Sequence, residues 1–324
     1  MPAAPGRSGG LPPRVLSIAG SDSGGGAGIQ ADLKAYARCG VHGMTAITAV
    51  TAQNTRAVTA VYPLPPEAII EQVRAVAEDI GVDAVKIGML GNAETIRAVE
   101  RALDLVPGAP VVLDPVMVAE SGARLLDENA EEALRIGLLP RATVVTPNLS
   151  EAAVLAGPES AAVSDPAARA RRRAAAGPEA GAQAGRGTAA GPEAEAQAGR
   201  DPAARPETGL QAATGGEPES LARSIHALGP SVVVVTGGHR DEATDLYFDG
   251  ERLVEIPGGR YPDGASHGSG CTHSSALAAH LALGADPLEA ARRAKQIASE
   301  AVRDGLRGLG AGAGPVDVFG IVRG

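Results

Sequence analysis

The stretch Asp263-Gly264-Ala265-Ser266-His267-Gly268-Ser269-Gly270-Cys271 sets a glycine-rich loop directly before a helical run, Thr272 to Leu283, that is rich in Ala, Leu and Ser and stops at Gly284. The unpaired N–H groups and the positive dipole end of such a helix make its start a site for an anion. The same field lowers a thiol from its usual pKa of ~8.5, so Cys271 is expected to act as a base or a nucleophile. A phosphate cradle (Gly268, Ser269, Gly270) with a proton acceptor beside it is what phosphoryl transfer needs. A small buried cysteine in a tight loop is the other reading of these residues, and the rest of the chain has to separate the two.

Further stretches carry chemistry-bearing residue types. Ala19 to Gly28, AGSDSGGGAG, joins a strand to a helix and lets a ligand approach the backbone closely. It is not a dinucleotide fingerprint: Gly24 and Gly26 fit G-x-G-x-x-G, but Ile29 stands where the third glycine belongs. The P-loop pattern G-x-x-x-x-G-K-[ST] is absent from the chain. In Thr51-Ala52-Gln53-Asn54-Thr55, the Gln53 carboxamide offers a donor and an acceptor side by side, which suits the edge of an aminopyrimidine. A solvated loop amide fits the same residues. Lys86-Ile87-Gly88-Met89-Leu90 ends another strand, where Met89 either walls an apolar pocket or fills the core.

In Leu113-Asp114-Pro115-Val116-Met117 a carboxylate tips a buried strand, which is costly unless it is paired or near a metal. Mg²⁺ binds through a few carboxylates and waters, often with substrate phosphates. Acceptance of loop N–H bonds by Asp114 is the structural alternative. Asn148 and Glu151, in Thr146-Pro147-Asn148-Leu149-Ser150-Glu151, have the spacing of an Asn-led capping box, a role compatible with a place beside ATP phosphates and Mg²⁺. Val235-Thr236-Gly237-Gly238-His239 is either a strand end near nucleotide phosphates or only a tight turn.

Elements must exist to position these residues. Strands are expected at Val15–Ala19, within Val41–Ala52, and at Ala84–Ile87, Val111–Asp114, Thr143–Thr146 and Val232–Thr236. Helices are expected at Gly28–Arg38, Pro66–Ile80, Asn92–Leu105, Glu128–Leu138 behind Asp127, Leu149–Ala156 and Pro218–Leu228. Asp245–Phe248 and Arg252–Ile256 flank Asp249-Gly250, a hairpin signal. Two helices close the chain, the second starting at Asp286-Pro287. Repeated β-α units give an α/β fold with a mostly parallel sheet covered by helices on both faces. Ligands then sit outside the carboxyl ends of the strands, where the loops above lie.

Composition bounds the rest. A net charge of −9 argues against a nucleic-acid surface, and 2% aromatics disfavour base stacking. Two cysteines, Cys39 and Cys271, give no disulfide framework and fit a reducing compartment, the cytoplasm. No apolar run approaches the ~18 residues of a membrane span. Residues 1–13 lack the apolar core of a signal peptide and read as a loose tail before a single domain, 14–324. Residues 157–217 are Ala, Gly, Pro, Glu and Arg with a near-repeat, GPEAGAQAGR and GPEAEAQAGR. Such a segment buries too little apolar surface to offset its ordering entropy and is expected to be a disordered insertion. Without it roughly 260 residues remain, suited to one α/β domain.

Taken in order, AGSDSGGGAGIQADL, TAQNT, KIGML, DPVM, SGARLL, TPNLSEA, TGGH and HGSGC resemble the hydroxymethylpyrimidine/phosphomethylpyrimidine kinases of thiamine biosynthesis, a group within the ribokinase-like superfamily. The resemblance runs from Val15 to about Val318 outside the insertion. It implies a ribokinase-like three-layer sandwich. It also implies ATP-dependent phosphorylation of 4-amino-5-hydroxymethyl-2-methylpyrimidine, then of its monophosphate. By resemblance, Gly20, Ala27, Asp32, Thr51, Gln53 and Met89 surround the pyrimidine, Gly268 to Cys271 form the anion hole, and Cys271 takes the hydroxyl proton. Lys86, Asn148, Thr236 and Gly238 fall to the nucleotide and Asp114 and Glu151 to Mg²⁺. The family implies a homodimer. The chain's end at Gly324 leads to the expectation that no thiamine-phosphate synthase domain is fused to it.

Three rivals remain. A pyridoxine or pyridoxal kinase of the same superfamily shares parts of these motifs, although TAQNT and GSDSGGGAGIQADL favour the pyrimidine. A non-catalytic sensor would have no need of the HGSGC loop. A thiol enzyme using Cys271 as nucleophile lacks a His-Asp relay in the sequence, although His267 and His273 are near. Since loop-closure cost grows slowly with length, deleting Pro158 to Glu217 is expected to leave kinase activity near wild type. Loss of turnover in a deletion variant that keeps its fold by circular dichroism would refute that.

Overall fold

The computed structural model describes residues 10–157, 218–237 and 243–321. The expected insertion 157–217 apart from Gly157, most of the expected tail, and Gly238 lie outside the described residues. The β-branched runs form strands that alternate between two buried faces, as a parallel sheet covered on both sides requires. Six strands run parallel: β1 (Arg14–Ala19), β2 (His42–Ile47), β5 (Ala84–Ile87), β6 (Val111–Leu113), β7 (Val144–Val145) and β8 (Val232–Val235). The hairpin β9 (Asp245–Phe248) and β10 (Leu253–Ile256) adds two antiparallel strands at one edge, giving the order β10-β9-β8-β7-β6-β5-β1-β2.

On one face Leu16, Ile18, Val85, Ile87, Leu113 and Val233 meet α2 (Pro66–Asp79), α3 (Ala93–Ala102), α5 (Leu149–Ala156) and α6 (Pro218–His226). Their alternates Val15, Ala84, Val112, Val144 and Val232 meet α1 (Gly28–Cys39), α7 (Ser269–Ala282) and α8 (Pro287–Arg303) on the other. The result is the expected three-layer α/β arrangement. β7 and β8, from either side of the undescribed segment, are neighbours through Val144–Val232 and Val145–Val233.

Three elements differ from the sequence reading. The run Val41–Ala52 is two strands, because the chain leaves the sheet at Thr48. There the Thr48 N–H donates to the Ala19 carbonyl at 3.0 Å and its hydroxyl to the Met89 carbonyl at 2.8 Å. Beyond Thr48, β3 (Ala49–Gln53) pairs with β4 (Val58–Pro63), a strand the sequence reading did not include, in a separate two-stranded sheet. The expected helix 128–138 is α-helical only in α4 (Ala130–Ala133) and then widens into a π turn, Leu134–Leu138. The Leu139 N–H reaches back to the Leu134 carbonyl, so Leu134 and Leu139, both buried, share one face.

On the α1/α7/α8 face of the sheet two polar residues interrupt the apolar alternates. Ser17 of β1 and Lys86 of β5 are register partners. Lys86 Nζ lies 3.0 Å from Asp32 Oδ1 of α1, and both side chains are 0% exposed. Ser17 Oγ donates to Asp32 Oδ2 at 2.5 Å. Removing one member of a buried pair leaves an uncompensated charge. Lys86→Met is therefore expected to cost ~3–5 kcal/mol of stability, read as the shift in a urea unfolding curve. An unfolding midpoint equal to that of the wild type would contradict this account.

Candidate active site

The loops that follow β1, β5, β6, β7 and β8 open on one side of the sheet. With the start of α7 they line a cleft of about 470 Å³. α7 begins at Gly268, whose φ of 85° is left-handed, and a Cβ there would collide with the Gly26 carbonyl oxygen. The Ser269 N–H turns back to the Ser266 carbonyl at 2.9 Å, and the Thr272 N–H donates to Gly268 at 2.9 Å. Helix geometry leaves the N–H groups of Gly270 and Cys271 without acceptors inside the helix, and both residues line the cleft. This turn has the form of an anion-binding site.

α7 is buried along almost its whole length, polar residues included. Three consecutive side chains each meet a different carboxylate. His273 Nε2 lies 3.2 Å from Asp245 Oδ2, Ser274 Oγ donates to Asp114 Oδ2 at 2.9 Å, and Ser275 Oγ donates to Asp32 Oδ1 at 2.7 Å. Lys295 Nζ of α8 closes on Asp245 Oδ1 at 2.6 Å. Burial disfavours the Asp245 anion, but His273 and Lys295 outweigh it and bring the carboxyl below its usual range.

The Cys271 thiol departs from the sequence expectation. Burial pushes it up to about 12. Lys86 and the Gly28 N–H pull it down, while Asp32 and Asp114 push the same way as burial. In the free protein Cys271 is a neutral thiol, and the helix field does not make it a thiolate.

Gln53 lines the same cleft, held by its neighbours. The Thr51 hydroxyl donates to the Ser21 carbonyl at 2.7 Å, and Gln53 Oε1 lies 3.2 Å from the same hydroxyl oxygen. Met89 lines the same wall with Gly20, where a Cβ would collide with the Met89 methyl. Ala27 also lines the cleft. Asp32 and Thr51 do not. Asp32 is spent on Ser17, Ser275 and Lys86 behind the wall, and Thr51 orients Gln53 rather than facing a ligand. Lys86 reaches the lining, but its ammonium is committed to Asp32, with Asp114 Oδ2 at 3.9 Å.

Asn148 and Glu151 form the capping box in full. The Asn148 side chain accepts from the Glu151 N–H and Glu151 Oε2 from the Asn148 N–H, each at 2.9 Å, and both residues line the cleft. Thr236 lines it too, its N–H donating to the Pro147 carbonyl at 2.8 Å. Burial, then the neighbouring Asp114, pushes the Glu151 carboxyl up to about 8, and burial also raises that of Asp114. Two raised carboxyls lining one cleft, Glu151 raised in part by Asp114, are a donor set that a divalent cation would relieve. Among the described residues no cluster of three or more metal-ligating side chains exists. Any such ion would therefore take its remaining ligands from phosphate oxygens and water.

Sequence reasoning missed Asp22, His267, Asp245, Lys295, Ser274 and Ser275. His267 and Asp22 pair at 3.0 Å, so both histidines near Cys271 have a carboxylate partner. Among the described residues, no hydrogen bond joins either histidine to Cys271. The only sequence signal for Ser274 and Ser275 was a polar run at the start of a helix otherwise apolar on every side.

Fold and cleft together define a kinase of small molecules: parallel strands, glycine loops at their carboxyl ends and a helix start facing paired carboxylates. A family model described as phosphomethylpyrimidine kinase matches residues 22–181 and 204–317. The chain belongs to that family. It is 43% identical over 311 residues to the hydroxymethylpyrimidine/phosphomethylpyrimidine kinase of Rhizobium meliloti, covering 94% of this chain and 96% of that protein. The pyridoxal kinase from Staphylococcus aureus, solved in complex with ADP, superposes with a TM-score of 0.72 at 30% identity, over 97% of this chain and 96% of its own. The phosphomethylpyrimidine kinase from Clostridium difficile gives 0.61 at 33% identity, over 87% and 96%. The fold is thus the ribokinase-like sandwich that the motifs implied.

A raised thiol pKa moves the onset of the thiolate to higher pH. Alkylation of Cys271 by iodoacetamide in the free protein, followed peptide by peptide, is expected to climb with pH well past ~8.5, the usual thiol value. A plateau at pH 9 would show that the helix field prevails over burial.

Proposed function

We propose that this chain transfers the γ-phosphoryl group of ATP to the hydroxymethyl group of 4-amino-5-hydroxymethyl-2-methylpyrimidine, and then to the resulting monophosphate. The observation that carries the reading is one cleft lined both by the carboxamide of Gln53 and by the open first turn of α7. Gln53 reads the aminopyrimidine edge, with Met89 and Gly20 against the ring and Ala27 beside it. The hydroxyl oxygen attacks the γ-phosphorus, the bond to the β-phosphate oxygen breaks, and the open N–H groups of Gly270 and Cys271 hold the transferring oxygens. Cys271 first gives up its own thiol proton to water, and the thiolate, which Lys86 favours, then takes the hydroxyl proton. Asn148 and Thr236 face the nucleotide. Asp114 and Glu151 would hold Mg²⁺, which would neutralise phosphate charge. In the second cycle a phosphate oxygen of the monophosphate is the acceptor.

A second reading is favoured by the higher TM-score of the Staphylococcus aureus pyridoxal kinase, namely phosphorylation of pyridoxal in the same cleft. The two substrates differ at the ring edge that Gln53 faces. No helix among the described residues is long and apolar enough to cross a membrane, and we place the enzyme in the cytoplasm. We also propose a single kinase domain and a homodimer. The homodimer would be formed through the outer face of β3–β4, where the cross-strand partners Val50 and Tyr62 are 46% and 63% exposed.

The test offers the purified chain ATP and Mg²⁺ with hydroxymethylpyrimidine, its monophosphate or pyridoxal in parallel. Conversion of the first two to mono- and diphosphate, with pyridoxal slow, is expected. Preference for pyridoxal would move the enzyme to vitamin B6 chemistry, and no turnover on any substrate would leave a binding protein. Cys271→Ala is expected to lower kcat by ~10²–10⁴, the range for loss of a general base. Wild-type turnover in that variant would remove Cys271 from the base role.

A further inference from the structure

The glycine-rich loop after β1 reads in sequence as a backbone surface for a ligand, yet its N–H groups are already taken. Asp22 Oδ1 accepts from the Gly24 N–H at 2.8 Å, and Oδ2 accepts from Gly26 at 3.0 Å and Ala27 at 2.8 Å. The Gly25 N–H turns back to the Asp22 carbonyl at 2.9 Å. The loop is an anion nest filled by its own side chain. Burial opposes the Asp22 anion, but His267 and these N–H groups outweigh it and hold the carboxyl below its usual range.

Asp22 Oδ2 also lies 3.0 Å from His267 Nε2, across 245 positions of sequence. His267 immediately precedes Gly268 and lines the cleft, and its side chain is 10% exposed. The contact continues in the backbone. A Cβ on Gly26 would collide with the His267 ring, as one on Gly268 would with the Gly26 carbonyl. Each loop keeps separate anchors. The Ile29 N–H donates to Gly20 at 3.0 Å, while His267 pairs through its backbone with Gly314 at 3.2 Å and Val316 at 3.0 Å. Breaking the side-chain pair therefore leaves both loops folded and frees the spacing between them.

We propose that the Asp22–His267 pair is a positioning clamp that fixes the acceptor-side glycine loop against the phosphoryl-binding turn. The proposal rests on the kinase reading above for its kinetic consequence, since one loop borders the acceptor and the other receives the phosphoryl group. Misplacement of reacting groups by about 1 Å costs on the order of 10²-fold in rate. A loosened clamp thus appears in kcat, while ATP, bound mainly elsewhere in the cleft, keeps its KM.

The test compares His267→Leu, which removes the donor, with His267→Gln, whose side-chain N–H can stand in for Nε2. Asp22→Asn and the Asp22→Asn/His267→Leu double variant complete the set. His267→Leu is expected to lower kcat by roughly 30–100-fold with KM for ATP within about twofold of wild type. His267→Gln should recover most of that loss, and the double variant should be no slower than the worse single one, as for two members of one interaction. Amide exchange, read by mass spectrometry, should rise in peptides covering 22–28 when only His267 is changed. The clamp is overturned by a His267→Leu enzyme of wild-type kcat, by equal losses in His267→Leu and His267→Gln, or by unchanged exchange over 22–28. Failure of the wild-type chain to phosphorylate any acceptor would instead strike the kinase reading, and the exchange comparison would still decide the clamp.

Discussion

Burying the polar residues His273, Ser274 and Ser275, just behind the open start of α7, is the constraint from which the rest of the site follows. A helix start that faces a cleft must bring its own polar residues into the interior, because the sheet closes over the remaining turns. His273, Ser274 and Ser275 answer this by meeting Asp245 from β9, Asp114 from the end of β6 and Asp32 from α1. Successive helix residues lie ~100° apart, so three neighbours in sequence reach three directions in space. Each carboxylate belongs to a different element, and together they fix the helix start against the sheet. The buried charge then demands cations, which Lys86 and Lys295 supply from β5 and α8.

This arrangement decides the chemistry of Cys271 against the simpler expectation. A helix end contributes about 0.3–1 kcal/mol, up to ~2 in partly buried geometry. Burial shifts a titratable group by up to ~3–5 pKa units when complete, at 1.36 kcal/mol each, and Cys271 is half-buried. Burial therefore outweighs the dipole, and the two nearby carboxylates add to it. The anion site and the thiol are separate consequences of one helix start: open N–H groups favour a phosphoryl oxygen whether or not the sulfur is ionised. A thiolate formed beside Lys86 is a strong base because it is so poorly stabilised.

Much of the fold was legible because apolar periodicity and punctuation agree. Gly40 ends α1 in a left-handed cap, and Asp286-Pro287 starts α8 with the expected cap bonds. The cleft-lining loops were legible as glycine and proline clusters at strand ends. Ser17 and Lys86 face the helices for a reason that no local pattern contains, the parallel register of β1 and β5. The same limit hid Asp22–His267 and Asp245–Lys295, whose partners lie far apart in sequence. Asp32 was assigned to the ligand by resemblance, but a carboxylate on a buried helix face meets its counter-ions first. Strand β4 escaped because its residues are largely exposed and its only partner is β3, so no buried alternation marks it.

Selectivity within this fold is decided by orientation more than by shape. An apolar wall such as Met89 with Gly20 tolerates pyrimidine and pyridine rings alike, since added or missing ring atoms change apolar contact by only about 1–3 kcal/mol. A hydrogen-bonding group held in one orientation discriminates more strongly, because a mismatched ring leaves buried donors or acceptors unpaired. Gln53 is proposed to be such a group: its amide oxygen lies 3.2 Å from the Thr51 hydroxyl oxygen, and Ser23 accepts from and donates to its backbone. Ser21 and Ser23 belong to the loop that Asp22 organises, so the amide proposed to read the ring and the turn proposed to bind the phosphoryl group share one scaffold. A change that loosened that loop would relax both ring choice and phosphoryl alignment, which links specificity and rate in this cleft through the same few hydrogen bonds.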